Sequence, residues 1–333
     1  MKFDIRKPAD LSAAIIATVC VVAMAVLTVM ALNKGLTGTL LAQYVISGLV
    51  FGSIYSLVAL GFAIIYKSTR VVNFAQGEFL MVGAYICFSL VVQFKIPWIW
   101  AFLLTLVFSF LLGMLVERLI LRPMIGEPVI SIIMVTIGLS SVLRSIVMAI
   151  WSTDIVVYDP PLFPDTTVNV AGIPISQVHL WCLGLAALLL GLFGLFFKFS
   201  KEGVAMRATA FSNQVALSMG ISVKRIFALA WCIAALVSFI GGVLIGNING
   251  VSSQLSHFGL KVFPAVILGG LDSIIGAALG GIIIGVLENL SDGVLKVALN
   301  LQGIKEVAPF VFLVIILMIK PYGLFGTEDI ERV

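Results

Sequence analysis

Polar side chains at the edges of long apolar runs are the first residues of this sequence that could do chemistry. Asn73, Gln76, Gly77 and Glu78 lie together in the stretch NFAQGE. An acid inside a membrane segment costs about 2.5–3.5 kcal/mol at the centre and less near an end. Two interpretations stay open: Asn73 caps a helix with Glu78 in its first turns at headgroup level, or the group lines a gate or passage.

A second set of candidates surrounds a glycine-rich stretch at 259–290. Asn247 ends the preceding apolar run, and Gly269, Gly270 and Asp272 lie where the stretch is interrupted. Broken helices survive at membrane depth only where protein or water satisfies their backbone groups, so this stretch is a pathway candidate. The alternative is close packing, because glycines four residues apart let helices approach each other.

Glu288 lies at the far end of the same stretch, and we expect it to face headgroups or water. The sequence has no arrangement typical of an enzyme: its two histidines, His179 and His257, lie at predicted external ends, and no H-E-x-x-H occurs. No GK[ST] occurs either, so the chain has no P-loop. Its four cysteines lack metal-ligand spacing. We therefore predict no catalytic residue, no metal site and no cofactor bound by this chain.

The elements that position these residues follow from composition. The 333 residues are 61% hydrophobic and only 11% charged, with a mean hydropathy of +1.19, whereas soluble domains carry roughly 25% charged residues. The apolar runs reach the roughly 20 residues that a membrane helix needs. We predict an all-α polytopic transmembrane helical bundle of about eight full spans plus a broken or re-entrant hairpin at 259–290. The full spans are expected near 11–32, 40–66, 72–92, 98–119, 129–151, 178–199, 226–248 and 306–320.

The distribution of charge predicts the orientation. Lysines and arginines follow alternate spans, which places those loops and both chain termini in the cytoplasm. The loop at 152–177 has three aspartates, four prolines and no lysine or arginine, which predicts an ordered external cap without a long helix. The net charge of +4 is spread over short loops, so nothing indicates a nucleic-acid partner. The span at 11–32 is too long for a signal peptide, and we expect it to be retained.

The segment KEGVAMRATAFSNQVALSMGISVKR at 201–225 is unusually basic and polar. Val204, Ala208, Phe211 and Val215 recur at helical spacing and form one apolar face. A second short helix is expected to begin at Ser212 or Asn213 and to end at Gly220. The apolar face needs something to rest on, either lipid headgroups or a docked protein.

Four stretches carry a resemblance to a known family: GLVFGSIYSLVALGFAIIYKSTRVVNFAQGEFLMVGAY, EGVAMRATAFSNQVALSMGISVKRI, FPAVILGGLDSIIGAALGGIIIGVLENL and the closing KPYGLFG. They resemble the permease subunits of branched-chain amino acid ABC importers, closest to the H-type permease. The resemblance covers about 40–326. It divides the chain into an N-terminal extension with an extra span at 1–39, a permease domain at 40–326 and a short cytoplasmic tail at 327–333.

The resemblance implies a pore subunit in the plasma (inner) membrane. It implies four kinds of neighbour: a second homologous permease, two cytoplasmic ATP-binding subunits that use ATP and Mg, an extracytoplasmic substrate-binding protein, and membrane lipid. The segment 201–220 matches the cytoplasmic coupling loop that rests on the ATPases, and its carried-over positions are Glu202, Gly203, Arg207, Asn213 and Gly220. The NFAQGE stretch is a family hallmark with no settled chemical role.

Three alternatives remain at this stage. Relatives of this permease type also carry urea, amides and other small polar solutes. A stand-alone channel or ion-coupled carrier would use the broken segment and its acids. An intramembrane enzyme is the least supported, because no group of catalytic residues can be found.

Overall fold

A computed structural model describes residues 25–170, 172–211 and 213–326 of the chain. Most of these residues are helical, and the only paired strands among them form one short hairpin, β1 (Thr167–Val170) with β2 (Ile173–Ser176). The helices are α1 (Gly38–Thr69), α2 (Gln76–Phe88), α3 (Trp98–Val116), α4 (Val129–Trp151), α5 (Gln177–Phe199), α6 (Lys201–Phe211), α7 (Asn213–Ser218), α8 (Val223–Asn249), α9 (His257–Gly269), α10 (Ile274–Leu299) and α11 (Ile304–Ile319). The prediction of an all-α helical bundle is confirmed.

Seven helical stretches among the described residues are long and apolar enough to cross a membrane. These are α1, α2 with its π-helical extension to Gln93, α3 with its extension to Met124, α4, α5, α8 and α10. The chain is therefore a polytopic membrane protein. The predicted span at 11–32 lies largely outside the described residues. The described residues at this end of the chain, 25–33, are helical.

Four helices form the interior of the bundle. The apolar stretches of α1, α2 and α8 are mostly buried and that of α10 is half buried, whereas those of α3, α4 and α5 are mostly exposed. Glycines make the closest contacts, because a Cβ atom at Gly48 or Gly52 of α1 would overlap the backbone of α10. Small residues at such contacts let two backbones approach within van der Waals distance.

The predicted hairpin at 259–290 consists of two unequal limbs. Its first limb, α9, has 13 residues and spans about 20 Å at 1.5 Å per residue, which is less than the roughly 30 Å of hydrocarbon. Its second limb belongs to α10, which has 26 residues and is a full span. The sequence therefore placed the interruption correctly, but the second limb is longer than expected because α10 continues to Leu299.

Both α2 and α9 begin inside the bundle. The side chain of Gln76, the first residue of α2, contacts Ala234 and Ser238 near the middle of α8. The start of α9 meets the start of α2, since a Cβ atom at Gly259 would lie 2.5 Å from the Cα atom of Gly77. The segments that precede these two helices therefore reach into the protein interior.

The two ends of the bundle differ in charge and in cover. The basic end carries Arg70, Arg122 and Arg207. The cap end carries the loop at 152–176, and the external position predicted for this loop stays a prediction. In this loop Val156 pairs with Val251 in a β-bridge, and its described residues, 152–170 and 172–176, contain no helix.

Candidate functional site

The two amides of the NFAQGE stretch form a buried hydrogen-bonded network. Asn73 Nδ2 donates to Gln76 Oε1 at 2.9 Å, and Asn73 Oδ1 accepts from the backbone N–H of Ala75 at 3.0 Å. Gln76 Nε2 donates to the Ala234 carbonyl at 3.2 Å and to Ser238 Oγ at 2.6 Å. Both amide side chains are fully buried. The network fixes the start of α2 against α8.

Glu78 forms an ion pair with a residue that sequence reasoning missed. Its Oε1 accepts from Arg144 Nη2 of α4 at 2.7 Å, and the Glu78 and Arg144 side chains are 3% and 35% exposed. Glu78 is therefore covered by α4 and paired across helices, and both interpretations of its role stay predictions. A sequence signal did exist: Arg144 is the one charged residue in α4.

Gly77 serves as a crossing point of two helices. A Cβ atom there would overlap the carbonyl of Ser256 and lie 3.1 Å from the Cα atom of Gly259. Any larger residue at position 77 would push the start of α9 away from α2. A role of NFAQGE in a passage stays a prediction, while its packing role is visible in these contacts.

Gly269 and Gly270 form the turn between α9 and α10. A Cβ atom at Gly269 would overlap the carbonyl of Gly276, and Gly270 has a φ of +103°, which favours glycine. The closing segment KPYGLFG covers this turn, since Leu324 N donates to Leu268 O at 2.7 Å and Phe325 N donates to Gly269 O at 3.1 Å. Close packing thus accounts for both glycines, and their part in a passage stays a prediction.

Asp272 lies at the basic end, beside the same turn. It lines a cavity of about 180 Å³ together with Tyr66, Arg70 and Tyr322. A cation and an acid at one small cavity can hold a charged or dipolar group there. The predicted pathway role of Asp272 stays a prediction.

Asn247 holds the cap loop to α8. Its Oδ1 accepts from the backbone N–H of Leu162 at 3.3 Å. Nearby, the Tyr158 hydroxyl donates to the Ala84 carbonyl at 3.0 Å, and burial raises the pKa of this phenol well above its usual value, so it stays a neutral donor. Asn247 therefore anchors a lid over the cap end, and its role in translocation stays a prediction.

The basic segment forms two short helices, as predicted. The first, α6, begins after Ser200, whose Oγ accepts from Gly203 N at 2.9 Å. A Cβ atom at Gly203 would lie 2.7 Å from the Phe197 carbonyl, so glycine lets α6 fold against the end of α5. The second, α7, begins at Asn213 and ends before Gly220, whose φ is +80°.

The cations and acid of this segment lie on its surface. Glu202 pairs with Arg225 of α8 at 2.7 Å, which joins the start of α6 to the start of α8. Arg207 is exposed, and its Nη2 donates to the Lys198 carbonyl at 3.4 Å. Exposed pairs such as Glu202 and Arg225 are typically worth about 0.2–1 kcal/mol.

The predicted apolar face of this segment points away from the bundle. Phe211 is 91% exposed, Val215 is 58% exposed and Val204 is 51% exposed. The opposite face packs inward, with Met206 buried against Phe197 and other core residues. Several exposed apolar side chains of α6 and α7 therefore lie together at the basic end.

A charged cluster at the cap end was missed as well. Lys261 of α9 pairs with Glu306 of α11 at 2.6 Å. Glu288, which we expected to face headgroups or water, is fully buried in α10. That expectation is wrong, because α10 passes through the interior beside α1, a position that the glycine spacing alone did not reveal.

Comparison with known proteins identifies the family. A family model described as "Branched-chain amino acid transport system / permease component" matches residues 44–319. The high-affinity branched-chain amino acid transport system permease protein LivH of Escherichia coli (strain K12) is 31% identical over 308 residues, covering 87% of this chain and 97% of the relative. The corresponding protein BraD of Pseudomonas aeruginosa is 30% identical over 305 residues, with the same coverage.

More distant matches extend this list. The probable branched-chain amino acid transport permease protein LivH of Methanocaldococcus jannaschii is 28% identical over 300 residues, covering 84% of this chain and 91% of the relative. Among solved structures, PsaBC from Streptococcus pneumoniae in complex with Fab covers 86% of this chain and 93% of that chain, with a TM-score of 0.47 and 15% identity. From the family match over 44–319, this chain belongs to the permease components of branched-chain amino acid transport systems.

Proposed function

We propose that this chain is the membrane-spanning subunit of an ATP-driven importer that moves branched-chain amino acids into the cell by alternating access. The chain is a transport permease by family. The relatives are named for branched-chain amino acid transport, which supports the same class of substrate here. Urea or amides are the alternative cargo within this family, and the ligand bound by the partner binding protein decides between them.

The observation that carries the proposal is the exposed apolar face of α6 and α7. It lies at the basic end, which the positive-inside rule assigns to the cytoplasm. Phe211 is almost fully exposed there, although the helix that carries it is fixed by the Gly203 contact and the Glu202 pair. A fixed apolar surface flanked by Arg207 fits a protein partner better than it fits loose lipid contact.

The partner that this surface implies is a pair of ATP-binding subunits, because the sequence has no P-loop of its own. These subunits bind ATP and Mg, and this chain is the non-enzymatic pore. A second permease of the same type and an extracytoplasmic binding protein complete the assembly in the plasma membrane. When the ATP-binding subunits close, α6 and α7 move with them and transmit force to α5 and α8, the helices that flank the segment.

The interior of the bundle provides the moving parts. The starts of α2 and α9 meet at Gly77 and Gly259, and helices that begin inside a membrane protein are typical of solute pathways. A change in this crossing would open one end of the bundle and close the other. An apolar path suits an amino acid with a branched hydrocarbon side chain.

The test replaces one exposed phenylalanine at each end of the bundle. Phe211→Asp should lower ATP-driven uptake by the reconstituted complex at least tenfold and reduce co-purification of the ATP-binding subunits. The matched control is Phe94→Asp, since Phe94 is 70% exposed and lies after α2, toward the cap end. Phe94→Asp should leave both readouts within twofold of the parent.

Two outcomes would contradict the coupling role. One is uptake within twofold of the parent in Phe211→Asp, and also in Arg207→Glu. The other is labelling of a cysteine at position 211 by an impermeant thiol reagent added only outside intact cells. Either result would place the surface away from the ATP-binding subunits.

An ion-coupled carrier is the second candidate, because Glu288 is a buried acid near the middle of a spanning helix. Buried acids in spans commonly mark ion or proton relays. This candidate predicts uptake by the chain alone that follows an ion gradient and needs no ATP. Uptake that persists without a gradient and stops without the ATP-binding subunits would exclude it.

A further inference from the structure

A cavity of about 360 Å³ opens at the cap end of the bundle. Its wall is formed by the segment that joins α8 to α9, by the first turns of α9 and by the start of α11. Among its polar lining residues are Asn249, Gln254, His257, Lys261, Lys305 and Glu306.

Two of the lining residues form an ion pair. Lys261 Nζ lies 2.6 Å from Glu306 Oε1, and the Lys261 side chain is 10% exposed whereas that of Glu306 is 68% exposed. The Lys261 side chain is thus mostly buried, whereas the Glu306 side chain lies at the surface. The Lys305 Nζ lies 4.4 Å from the centre of the Phe51 ring.

A carboxylate without a hydrogen-bond partner lies in the protein interior near these lysines. Glu288 is 0% exposed, and in the described part of the chain neither of its carboxylate oxygens accepts a hydrogen bond. The Tyr55 hydroxyl is likewise buried without a hydrogen bond, and it lies close enough to Glu288 to interact with it. Glu288 also interacts electrostatically with Lys261 and Lys305.

A buried carboxylate without a hydrogen bond costs free energy in the folded protein. A buried ion loses on the order of several kcal/mol of hydration free energy in a real protein. It recovers this loss only through close pairing with an opposite charge and through further hydrogen bonds. Lys261 gives its close contact to Glu306 instead of Glu288. Glu288 and Tyr55 therefore retain hydrogen-bonding capacity that an ammonium group could fill.

The charges and rings around Glu288 define the ligand. Two lysines and two glutamates balance, so a ligand of zero net charge that carries both an ammonium and a carboxylate fits without adding charge. The rings of Phe51, Tyr55 and Phe258 follow one another at 6.5 and 6.3 Å between centroids. They form an apolar wall beside the charged groups, which suits a hydrocarbon side chain.

We propose that Glu288, Tyr55 and Lys261 bind the α-ammonium and α-carboxylate groups of an amino acid, and that the ion pair of Lys261 with Glu306 closes this site toward the cavity. The inference deepens the proposed function and rests on it. Glu288 accepts hydrogen bonds from the ammonium group, assisted by the Tyr55 oxygen. Lys261 leaves Glu306 and donates to the carboxylate, while the side chain of the amino acid packs on the aromatic wall.

Opening of the site is coupled to an exchange of hydrogen-bond partners by Lys261, from Glu306 to the carboxylate of the amino acid. In this structure Lys261 Nζ donates to Glu306 Oε1 at 2.6 Å. An arriving zwitterion offers Lys261 a carboxylate and offers Glu288 an ammonium. The charge count is the same before and after, so the step requires no proton or metal ion.

The experiment uses the full complex in proteoliposomes, with leucine uptake and ATP hydrolysis measured on the same preparation. Glu288→Gln should lower the leucine taken up per ATP hydrolysed at least tenfold, while binding-protein-stimulated ATP hydrolysis stays within threefold of the parent. Tyr55→Phe should raise the KM for leucine about threefold to tenfold with little change in maximal rate. The control is Glu117→Gln, since Glu117 is also a buried acid, paired with Arg122 at the basic end.

A second set of variants guards against loss of folding. Glu288→Asp keeps the charge and should retain more uptake than Glu288→Gln at equal yield of assembled complex. Glu306→Gln should weaken the closed state and increase the rate at which a cysteine at position 254, in a background without the native cysteines, reacts with an external thiol reagent. Leucine should slow that reaction in the Glu306→Gln protein, and adding Glu288→Gln should remove the protection.

Different outcomes contradict the proposed binding site and the proposed importer function. A parent complex that does not import leucine with ATP would contradict the proposed function itself. A parent that imports leucine, with Glu288→Gln equal to it within twofold, would overturn only the site. Gradient-driven leucine uptake without ATP that is lost in Glu288→Gln would overturn it too, because Glu288 would then bind an inorganic cation or a proton.

Discussion

The inner and outer helices of this bundle are both strongly apolar, yet they face different surroundings. The apolar stretch of α1 is 94% buried, whereas those of α4 and α5 are each 17% buried. Both groups contain glycine, but a Cβ atom at Gly285 in α10 would overlap the backbone of Gly52, while one at Gly191 in α5 would meet no atom within 4 Å.

This difference shows what holds a membrane bundle together. Lipid is as apolar as the helices, so hydrophobicity inserts a helix without choosing its neighbours. Backbone contact and polar pairing make that choice. The inner helices therefore depend on residues that permit contact, and the outer ones depend on a few polar links.

The largest expected effect comes from enlarging an inner glycine. The side chain introduced by Gly285→Leu would overlap the backbone of α1. The two helices would have to move apart to accommodate it. We expect a loss of stability of about 3 kcal/mol or more and little folded protein. The measurement is the yield of monodisperse protein in detergent together with its thermal unfolding midpoint.

The matched control lies in the outer layer. Gly191→Leu meets open space, and its effect should stay within about 0.5 kcal/mol. Equal losses in the two variants would show that α5 is packed against something in the assembled complex. Equal tolerance would show that the contact between α1 and α10 is looser than the backbone positions indicate.

The next effect concerns the polar link between an inner and an outer helix. Arg144→Ala removes the partner of Glu78, which is 3% exposed. Breaking a buried pair is strongly destabilising, but Arg144 is partly exposed, so we expect a loss of about 2 kcal/mol. The double variant Glu78→Gln with Arg144→Met should recover most of that loss in a free-energy-of-unfolding measurement.

A double variant as unstable as Arg144→Ala alone would contradict this account. It would mean that the guanidinium holds α4 by packing and not by charge. Arg144 Nε has no hydrogen-bond partner among the described residues, and Arg144 Nη2 donates to Glu78 Oε1 at 2.7 Å.

Sequence reasoning gave the helices and their breaks because both depend on local composition. The basic helix pair, the end of α7 at Gly220 and the turn at Gly270 all follow from spacing and from residues that adopt positive φ. The layer to which each helix belongs was not predictable in this way. The hydropathy of α5 resembles that of α8, although only α8 is interior.

The candidate site was harder to predict than the fold, because its residues meet across long sequence distances. Glu78 and Arg144 are 66 positions apart, and Lys261 and Glu306 are 45 positions apart. A charged residue inside an apolar run indicates a position that needs a partner, but the sequence does not identify that partner. The positions of Arg144, Lys261 and Glu288 could have been selected on that ground, but what each contacts depends on how the helices pack.

The smallest expected effect tests whether the inner amide network is structural. Ser238→Ala removes one of two acceptors of Gln76 Nε2 and leaves the Ala234 carbonyl in place. We expect a loss of about 1 kcal/mol in the free energy of unfolding. Ser145→Ala in α4 removes an exposed hydroxyl that donates only within its own helix, and it should change stability by less than about 0.5 kcal/mol.

Uptake measured on the same two variants decides what the network is for. If Gln76 only fixes the start of α2, uptake by Ser238→Ala should fall no further than the amount of folded complex falls, because the carbonyl still orients the amide. A fall in uptake per folded complex of more than fivefold would show that Gln76 must exchange partners during transport. Since Gln76 lies beside the crossing of α2 and α9 at Gly77, that result would place the moving contact at the inner helices, and the outer helices would then serve as a fixed frame around it.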